Sequence, residues 1–314
     1  MSGLDTVLVA YRSEDVIEAA VRAARELGGQ VVVVDHGDGG SARTGAALGA
    51  VTFEDRSNPG FGAGQNRGVA TTTSPFVLLC NPDAVVVPQA VAEGAKLLEG
   101  RPDVAAVQGV IVNRHTGLPE RSQGVEIRPA HLLGRALGGR RLLRCGVVRS
   151  LMRRSATLAD HVERVPRGPV EVESLAATAV LIRRSAFEEV GGFDPSFFLY
   201  GEDLDLCHRL RLAGWKLMAV PEVWAHHLGG ASAESSRARE VQWWRGTLRF
   251  ANRWWGPRAW SVAITAATVR WARLAVTSPR GAGSVLRAMV IAPARARRYP
   301  RLPWTSRRAP TTAT

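Results

Sequence analysis

Residues 30–39 read QVVVVDHGDG, four consecutive valines that end at an aspartate and a glycine-rich turn. An uninterrupted apolar run of this kind is typical of a strand covered on both faces, as in parallel sheets. Similar runs occur at residues 6–10, 76–79 and 104–112, and helix-like segments lie between them. This alternation predicts βαβ units, and therefore an α/β fold with a mostly parallel central sheet flanked by helices.

The remaining elements follow from apolar periodicity and from turn residues. Helices are predicted at residues 15–27, 61–70, 88–99, 184–190 and 202–213, with Gly214 as a C-terminal cap. Further strands are predicted at residues 51–53 and 216–220, and a strand pair or a strand with a turn at residues 172–183. We find no internal repeat, so a single α/β domain with an appendage accounts for the 314 residues.

The segment of residues 114–169 differs from the rest of the domain. It holds twelve arginines and only four acidic residues, with scattered glycine and proline. We predict a mobile, basic excursion near the active face, partly helical at residues 130–137.

The cysteines and the N-terminal sequence bear on the compartment. Three cysteines, far apart and without metal-type spacing, favour a reducing environment over a disulfide framework. The first fifteen residues show no basic region, long apolar core or cleavage site. We therefore expect a cytoplasmic protein.

Residues 236–314 form a basic tail of predicted helices. From residue 241 onward there are fourteen arginines, seven of the nine tryptophans, and no Lys, Asp, Glu or His, so the formal net charge of +13 belongs to this segment. Trp favours the headgroup level of a bilayer and Arg pairs with anionic lipids. We predict peripheral binding to the inner face of the plasma membrane rather than to nucleic acid, because no nucleic-acid-reading motif is present.

Two features of the tail refine that prediction. Its longest uncharged stretch, residues 259–269, is too short to span a bilayer, so an interfacial amphipathic helix is the better interpretation. Trp244, Leu248, Ala251 and Trp255 recur at helical spacing. The alternative is that this stripe packs onto the domain.

An acidic cluster lies in residues 198–209, FLYGEDLDLCHR. Glu202, Asp203 and Asp205 fall within four positions, between aromatic and aliphatic neighbours. Apolar surroundings raise the pKa of a carboxylate and favour its use as a proton acceptor.

Other polar residues lie where ligands of open α/β sheets bind, beyond the carboxyl ends of strands. Asp35 ends the second predicted strand, where it can accept a hydrogen bond from a pyrimidine N–H or serve only as a turn or cap residue. The glycine-rich loop of residues 58–66 leads into a helix and can approach phosphate or sugar closely. Asp83 follows the most apolar strand and can bind a divalent cation, and His227 can supply a nitrogen ligand to the same cation. An Asn-Pro turn and a structural histidine are the alternatives for those two residues.

Five segments, taken in order, resemble the family-two inverting glycosyltransferases, and most of all the bacterial rhamnosyltransferases. They are VVVVDHGDGG (31–40), NPGFGAGQNRG (58–68), FVLLCNPDAVV (76–86), AATAVLIRRSAFEEVGGFDPSFFLYGEDLDLCHRLRLAGW (176–215) and HHLGGAS (226–232). The resemblance covers residues 4–235 and implies a GT-A catalytic domain over residues 1–235.

The resemblance also implies roles for individual residues. Asp203 matches the catalytic base, with Glu202 orienting it or binding the acceptor. Asp83 and His227 match the ligands of Mg²⁺ or Mn²⁺. The implied donor contacts are Tyr11, Asp35, Gly62, Asn66 and Asn81. Asn81 stands where the family often has aspartate, and His36-Gly37-Asp38 replaces a common Asn-Gly-Ser, which leaves the preferred nucleotide base open.

The implied reaction is transfer of a sugar, L-rhamnose from dTDP-rhamnose, with inversion at the anomeric carbon. The implied partners are a nucleoside-diphosphate sugar and a glycan or polyprenyl-diphosphate-linked acceptor in cell-envelope polysaccharide synthesis. The alternatives are a galactofuranosyl- or other hexosyltransferase of the same fold, and a non-catalytic, membrane-associated sugar-binding protein.

Overall fold

The computed structural model describes residues 3–136, 165–229 and 236–277. The strands are β1 (Leu4–Ala10), β2 (Gly28–Asp35), β3 (Val51–Glu54), β4 (Phe76–Cys80), β5 (Ala84–Val86), β6 (Val104–Asn113), β7 (Gln123–Gly124), β8 (Val170–Val172), β9 (Ser174–Leu175), β10 (Ala179–Arg183) and β11 (Lys216–His227). The helices are α1 (Ile17–Arg25), α2 (Gly40–Ala47), α3 (Phe61–Val69), α4 (Pro88–Gly100), α5 (Pro129–Ala136), α6 (Arg184–Glu189), α7 (Glu202–Leu212), α8 (Ser236–Trp254) and α9 (Pro257–Thr277).

The described residues build a nine-stranded sheet in the order β3-β2-β1-β4-β10-β6-β11-β5, with β8 paired to β11. Strands β3, β2, β1 and β4 are parallel, and β6 and β11 form a further parallel pair. Strand β10 lies antiparallel between β4 and β6, so those two strands also run in one direction. The predicted α/β fold with a mostly parallel central sheet is confirmed, with antiparallel strands β10, β5 and β8 added.

Both faces of the sheet are covered by helices, which explains the uninterrupted apolar runs. On one face α1 and α4 pack over side chains such as Leu8 and Leu78. On the other face α3, α6 and α7 pack over Val7, Val9 and Val77. Alternate apolar residues of β1 therefore point into two separate cores, and the polar residues Asp5 and Thr6 near the start of the strand are buried as well.

The structure corrects three details of the predicted element order. Helix α2 forms in a segment for which no element was predicted, and Asp35 accepts a hydrogen bond from the Ala42 N–H in its first turn. Strand β5 forms directly after the Asn81-Pro82-Asp83 turn and pairs with β11. Strand β11 continues through Pro221 to His227, with irregular register against β6 between Ala219 and Val223.

Part of the predicted basic excursion is held by defined contacts. Strand β7 pairs with β9, and α5 buries Leu132 and Ala136 against α8 and α9. Residues 137–164, which make up half of the predicted excursion, lie outside the described residues.

Helices α8 and α9 form a third core together with α5. The stripe predicted at helical spacing faces this core: Trp244, Leu248 and Ala251 are buried, and Trp255 packs against them partly buried. The packing alternative therefore describes this stripe, which does not face a bilayer. None of the described helices combines the length and apolar character that crossing a membrane requires.

Candidate active site

The polar side chains after β4 and at the end of β11 form a hydrogen-bonded chain. His227 lies opposite Ala84 of β5, and its Nε2 is 3.1 Å from Asp83 Oδ1. Its Nδ1 is 2.9 Å from Glu120 Oε2, and Glu120 in turn accepts a bond from the Asn113 amide. The structure thus brings together Asp83 and His227, which are 144 positions apart in sequence.

This arrangement fixes the charge state of the imidazole. Burial disfavours the protonated ring, but hydrogen bonds to Asp83 and Glu120 outweigh burial and raise the pKa of His227 to about 9. The same contacts lower the pKa of Glu120, against the opposing effect of its burial. At neutral pH the three groups therefore form a carboxylate–imidazolium–carboxylate chain.

The donor set suits a divalent cation. Two ligand atoms in adjacent octahedral positions around such an ion lie about 3 Å apart, which is the separation of Asp83 Oδ1 and His227 Nε2. A carboxylate on the other ring nitrogen, as Glu120 is here, orients a metal-binding histidine. Within the described ranges, no three His, Cys, Asp and Glu side chains converge as a ready-made metal site. Asp83 and His227 therefore fit as two protein ligands of an ion that takes its other ligands from substrate and water.

The acidic cluster forms the first turn of α7. Gly201 precedes the helix in a left-handed conformation with φ +88°, and Tyr200 before it has φ +66°. Glu202 is buried, and its Oε2 has no hydrogen-bond partner. Asp203 keeps some access to solvent and accepts a 2.8 Å bond from the Leu204 N–H.

Burial raises the pKa values of the two adjacent carboxyls. Burial, followed by the nearby Asp203 carboxylate, raises the pKa of Glu202 to about 8. Burial also raises the pKa of Asp203, but backbone N–H groups, including those of Leu204 and Ala177, stabilise its ionised form. Since two neighbouring carboxyls resist double ionisation, the Glu202–Asp203 pair loses its two protons in separate steps.

The raised pKa of Glu202 predicts how the stability of the folded protein depends on pH. Glu202 has a raised pKa when folded, so between its ordinary value of 4.5 and about 8 the unfolded chain releases the proton while the folded protein keeps it. The stability that this group contributes is complete below pH 4.5 and decreases as pH rises towards 8. We expect Glu202→Gln to remove this decrease, so that its melting temperature changes less than that of the wild type between pH 5 and 8. The exposed control Glu99→Gln should follow the wild type, and parallel curves for all three proteins would contradict the raised pKa of Glu202.

The backbone before β10 connects the acidic turn to the loop after β4. The Ala177 N–H is one of the groups that stabilise the Asp203 carboxylate. The next residue, Thr178, accepts a 2.8 Å bond from the Asn81 N–H through its carbonyl. Two consecutive residues therefore hold Asp203 on one side and the Asn81–Asp83 turn on the other.

Asp35 lies at the carboxyl end of β2 as predicted, but its side chain is 1% exposed. Its Oδ1 accepts a bond from the Gly37 N–H and its Oδ2 accepts one from the Ala42 N–H. The carboxylate thus closes the turn before α2, as in the turn-and-cap alternative. Recognition of a nucleotide base by Asp35 stays a prediction.

Gly62 and Asn66, on α3, face the loop after α6. A Cβ at Gly62 would lie 2.8 Å from the Phe193 side chain, so glycine permits close contact there. The Asn66 amide donates to the Phe193 carbonyl and accepts from the Phe193 N–H, each at 2.8 Å. Tyr11 lies half-buried at the end of β1. Donor contacts of these residues and of Asn81 stay predictions, and the structure adds a positioning role for Gly62 and Asn66.

Comparison with known proteins decides the family. Residues 1–255 match the sequence profile described as "Glycosyltransferase like family 2". The chain belongs to this family. The match runs through α8, beyond the end of the resemblance at residue 235.

Several relatives of this family-two chain are rhamnosyltransferases. An N-acetylglucosaminyl-diphospho-decaprenol L-rhamnosyltransferase of Mycobacterium tuberculosis is 39% identical over 113 residues, 31% of this chain and 37% of the relative. The rhamnosyltransferase WbbL of Escherichia coli is 39% identical over 83 residues, 26% of this chain and 31% of the relative. The matched part is thus only about a third of each relative's length.

Solved structures confirm the GT-A fold of the family-two chain. A mannosyltransferase, PcManGT from Pyrobaculum calidifontis in complex with GDP-Man and Mn²⁺, has a TM-score of 0.53 at 16% identity, covering 94% of this chain and 88% of that one. GalNAc-T7 with UDP, GalNAc and Mn²⁺ has a TM-score of 0.52 at 13% identity, covering 82% and 49%. At these identities the likeness is one of fold.

Sequence analysis missed one residue of the site and did not reveal the structural role of another. Glu120, the partner of His227, lies in a basic segment without recognisable pattern, and only folding brings it beside β11. Asp205 was grouped with the acidic cluster, but it is fully buried and bonded to Arg209 and to the Trp254 indole. The spacing Asp205–Arg209, one helical turn, was the available signal for a structural ion pair.

Proposed function

We propose that this chain is an inverting, metal-dependent glycosyltransferase that moves L-rhamnose from dTDP-rhamnose to a polyprenyl-diphosphate-linked acceptor. The observation that carries the proposal is the pairing of two chemically distinct half-sites across Ala177 and Thr178. One half is the Asp203 carboxyl beside the buried Glu202, with the pKa of both raised by burial. The other is the Asp83–His227 pair. A proton acceptor connected through these two backbone residues to a cation site suits attack by a hydroxyl on a sugar diphosphate.

The chemistry of the first half-site follows from its surroundings. Asp203 accepts the proton of the acceptor hydroxyl, and its raised pKa makes it a better base than an ordinary aspartate. The oxygen then bonds to the anomeric carbon as the bond to the diphosphate breaks on the opposite face. No covalent sugar–protein intermediate is needed, so one base suffices. Glu202, protonated, keeps a second negative charge away from Asp203.

The second half-site holds the leaving group. Asp83 and His227 are the residues that would hold Mg²⁺ or Mn²⁺, and Glu120 orients the His227 ring. When bound, the cation neutralises charge on the departing diphosphate. His227 must give up its Nε2 proton to become a ligand, whereas its Nδ1–H stays bonded to Glu120.

The choice of sugar and acceptor rests on the relatives. The names of both relatives specify rhamnose, and one of them specifies a decaprenol-diphosphate-linked N-acetylglucosamine. The test is a panel of nucleoside-diphosphate sugars with Mn²⁺ and that acceptor, scored by glycosylated lipid and by released nucleoside diphosphate. We expect dTDP-rhamnose to give both products. Transfer from another donor would replace the proposed sugar, and no release from any donor would favour a sugar-binding protein.

The predicted membrane binding now depends mainly on the last segment of the chain, residues 278–314. Of the fourteen arginines from residue 241 onward, eight lie in residues 278–314, outside the described residues. Within α8 and α9, Arg249, Arg253 and Arg270 bind Ser196, Asp194 and Glu240. We propose that residues 278–314 hold the protein on anionic bilayers, at about 1 kcal/mol per Arg near the surface.

Two truncations test the membrane role. Removal of residues 278–314 should lower co-sedimentation with anionic vesicles while the melting temperature stays close to that of the full chain. Removal of residues 241–314 should also destabilise the domain, because it exposes the core that α5 shares with α8 and α9. Undiminished vesicle binding by a well-folded 1–277 protein would rule out this role for the terminal segment.

A further inference from the structure

Helix α8 touches the turn that carries the two carboxyls, backbone against backbone. A Cβ added at Gly246 would lie 1.7 Å from the Tyr200 carbonyl oxygen and 3.2 Å from the Gly201 nitrogen. A Cβ at Gly201 would in turn lie 2.7 Å from the Gly246 carbonyl oxygen. Only glycine at position 246 permits this approach, since no side chain is small enough to fit between the two backbones.

A second contact fixes α7 one turn further on. The Trp254 indole N–H donates to Asp205 Oδ1 at 2.8 Å, and the Trp254 ring lies against His208, with centroids 4.3 Å apart. Asp205 is fully buried, and its other oxygen accepts from Arg209 Nε at 2.7 Å. Trp254 therefore connects α8 to both Asp205 and His208 of α7.

A third set of contacts holds the loop before the turn. Arg253 pairs with Asp194, and Arg249 Nε donates to Ser196 Oγ at 2.9 Å. The Arg249 guanidinium also lies 5.6 Å from the Phe197 ring centroid. Helix α8 thus contacts the chain before, at and after the Glu202–Asp203 pair.

We propose that α8 is a positioning element of the active site, in which Gly246 and Trp254 set the place of the Glu202–Asp203 turn. The inference rests on the proposed function, since it assigns these residues to the transfer reaction. Neither residue contacts the reacting atoms; both act through the turn and α7. Helix α8 then positions the active-site turn as well as contributing to the third core.

The left-handed turn explains why outside support is needed. Tyr200 has a φ of +66°, which is strained for a residue with a side chain, and Gly201 has a φ of +88°. Strain of this kind persists only where surrounding contacts hold it. A base displaced by about 1 Å from its productive position loses on the order of 100-fold in rate. Contacts that hold the turn in place should therefore raise the rate of sugar transfer.

The principal test is Gly246→Ala in the full-length protein, with Gly256→Ala as matched control. Gly256 follows the same helix, and a Cβ there would meet nothing within 4 Å. We expect Gly246→Ala to lower kcat about 100-fold at nearly unchanged donor KM, because only the base is displaced. The control should keep wild-type kcat, KM and melting temperature.

A milder variant guards against loss of folding in Gly246→Ala. Trp254→Phe keeps an aromatic ring against His208 but removes the hydrogen bond to Asp205. We expect about a tenfold loss of kcat, since one charge-assisted bond that orients α7 is lost. Both variants should also displace the apparent pKa of the acidic limb of the kcat–pH profile. The charged neighbour that Glu202 faces is Asp203, so a shift in that limb reports a change in this pair.

A purely structural role predicts a different pattern. Both variants would then show lower melting temperatures but wild-type kcat per folded molecule and an unchanged pH profile, and that result would overturn the inference.

Failure of the proposed function is distinguishable, because the wild type itself would then transfer no sugar. In that case the wild-type difference in melting temperature between pH 5 and 8 is compared with that of Gly246→Ala. A smaller difference in the variant supports control of the turn by α8, and an equal difference contradicts it.

Discussion

Asp203→Asn should lower sugar transfer by roughly 10²–10⁴-fold while leaving donor affinity nearly unchanged. The amide keeps the shape of the side chain and its bond to the Leu204 N–H, but it cannot accept a proton from the acceptor hydroxyl. Because Asp203 is predicted to act in the chemical step alone, the loss should appear in kcat. Steady-state transfer kinetics, together with calorimetric titration of the nucleoside diphosphate, separate the two effects.

Glu202→Gln is the matched comparison, one position away in the same helical turn. Glu202 is buried and holds its proton at neutral pH, so its amide analogue should retain much more activity than Asp203→Asn. An inactive Glu202→Gln beside an active Asp203→Asn would show that the base is Glu202.

Asp83→Ala and His227→Ala should each weaken metal-dependent donor binding strongly, and excess chelator should abolish transfer. Each substitution removes one of the two proposed protein ligands and breaks the buried Asp83–His227 ion pair. Donor binding is measured with and without Mn²⁺, because only the metal-dependent part should be lost.

Two controls sharpen this second expectation. His226→Ala changes the adjacent residue of β11, which is exposed, and should leave metal dependence intact. Glu120→Gln keeps both ligands but loses the carboxylate on His227 Nδ1, so metal affinity should fall by about 10–100-fold. Full activity in excess chelator would reduce Asp83 and His227 to a structural ion pair.

Local sequence was a good guide to the fold wherever periodicity or turn chemistry was strong. The apolar runs at β1, β2, β4 and β6 and the helix over residues 202–212 were all predicted within a few positions. Gly214 ends α7 with φ +89° as expected of a C-terminal glycine. Prediction failed at α2 and β5, whose stability comes from the Asp35 side chain and from pairing with β11.

The basic tail also shows what local sequence predicts and what it does not. Its composition indicated arginine and tryptophan at a surface, yet Trp244 is fully buried and Arg253 pairs with Asp194. Helical spacing revealed an apolar stripe but not what would cover it. The stripe packs in a core with α9 and with α5, which lies more than a hundred positions earlier in the chain.

The sequence by itself determined the α/β class, the family and the residue types of the candidate site, because these depend on local periodicity and on motifs that are contiguous in the chain. Only the tertiary structure decided which ionisable groups pair with one another or with other polar groups. It gave His227 a second carboxylate in Glu120, Asp35 a role in closing a turn, and Asp205 an indole partner from α8. Ionisation and hydrogen bonding depend on neighbours in space and on exclusion of water, and neither can be read from spacing along the chain.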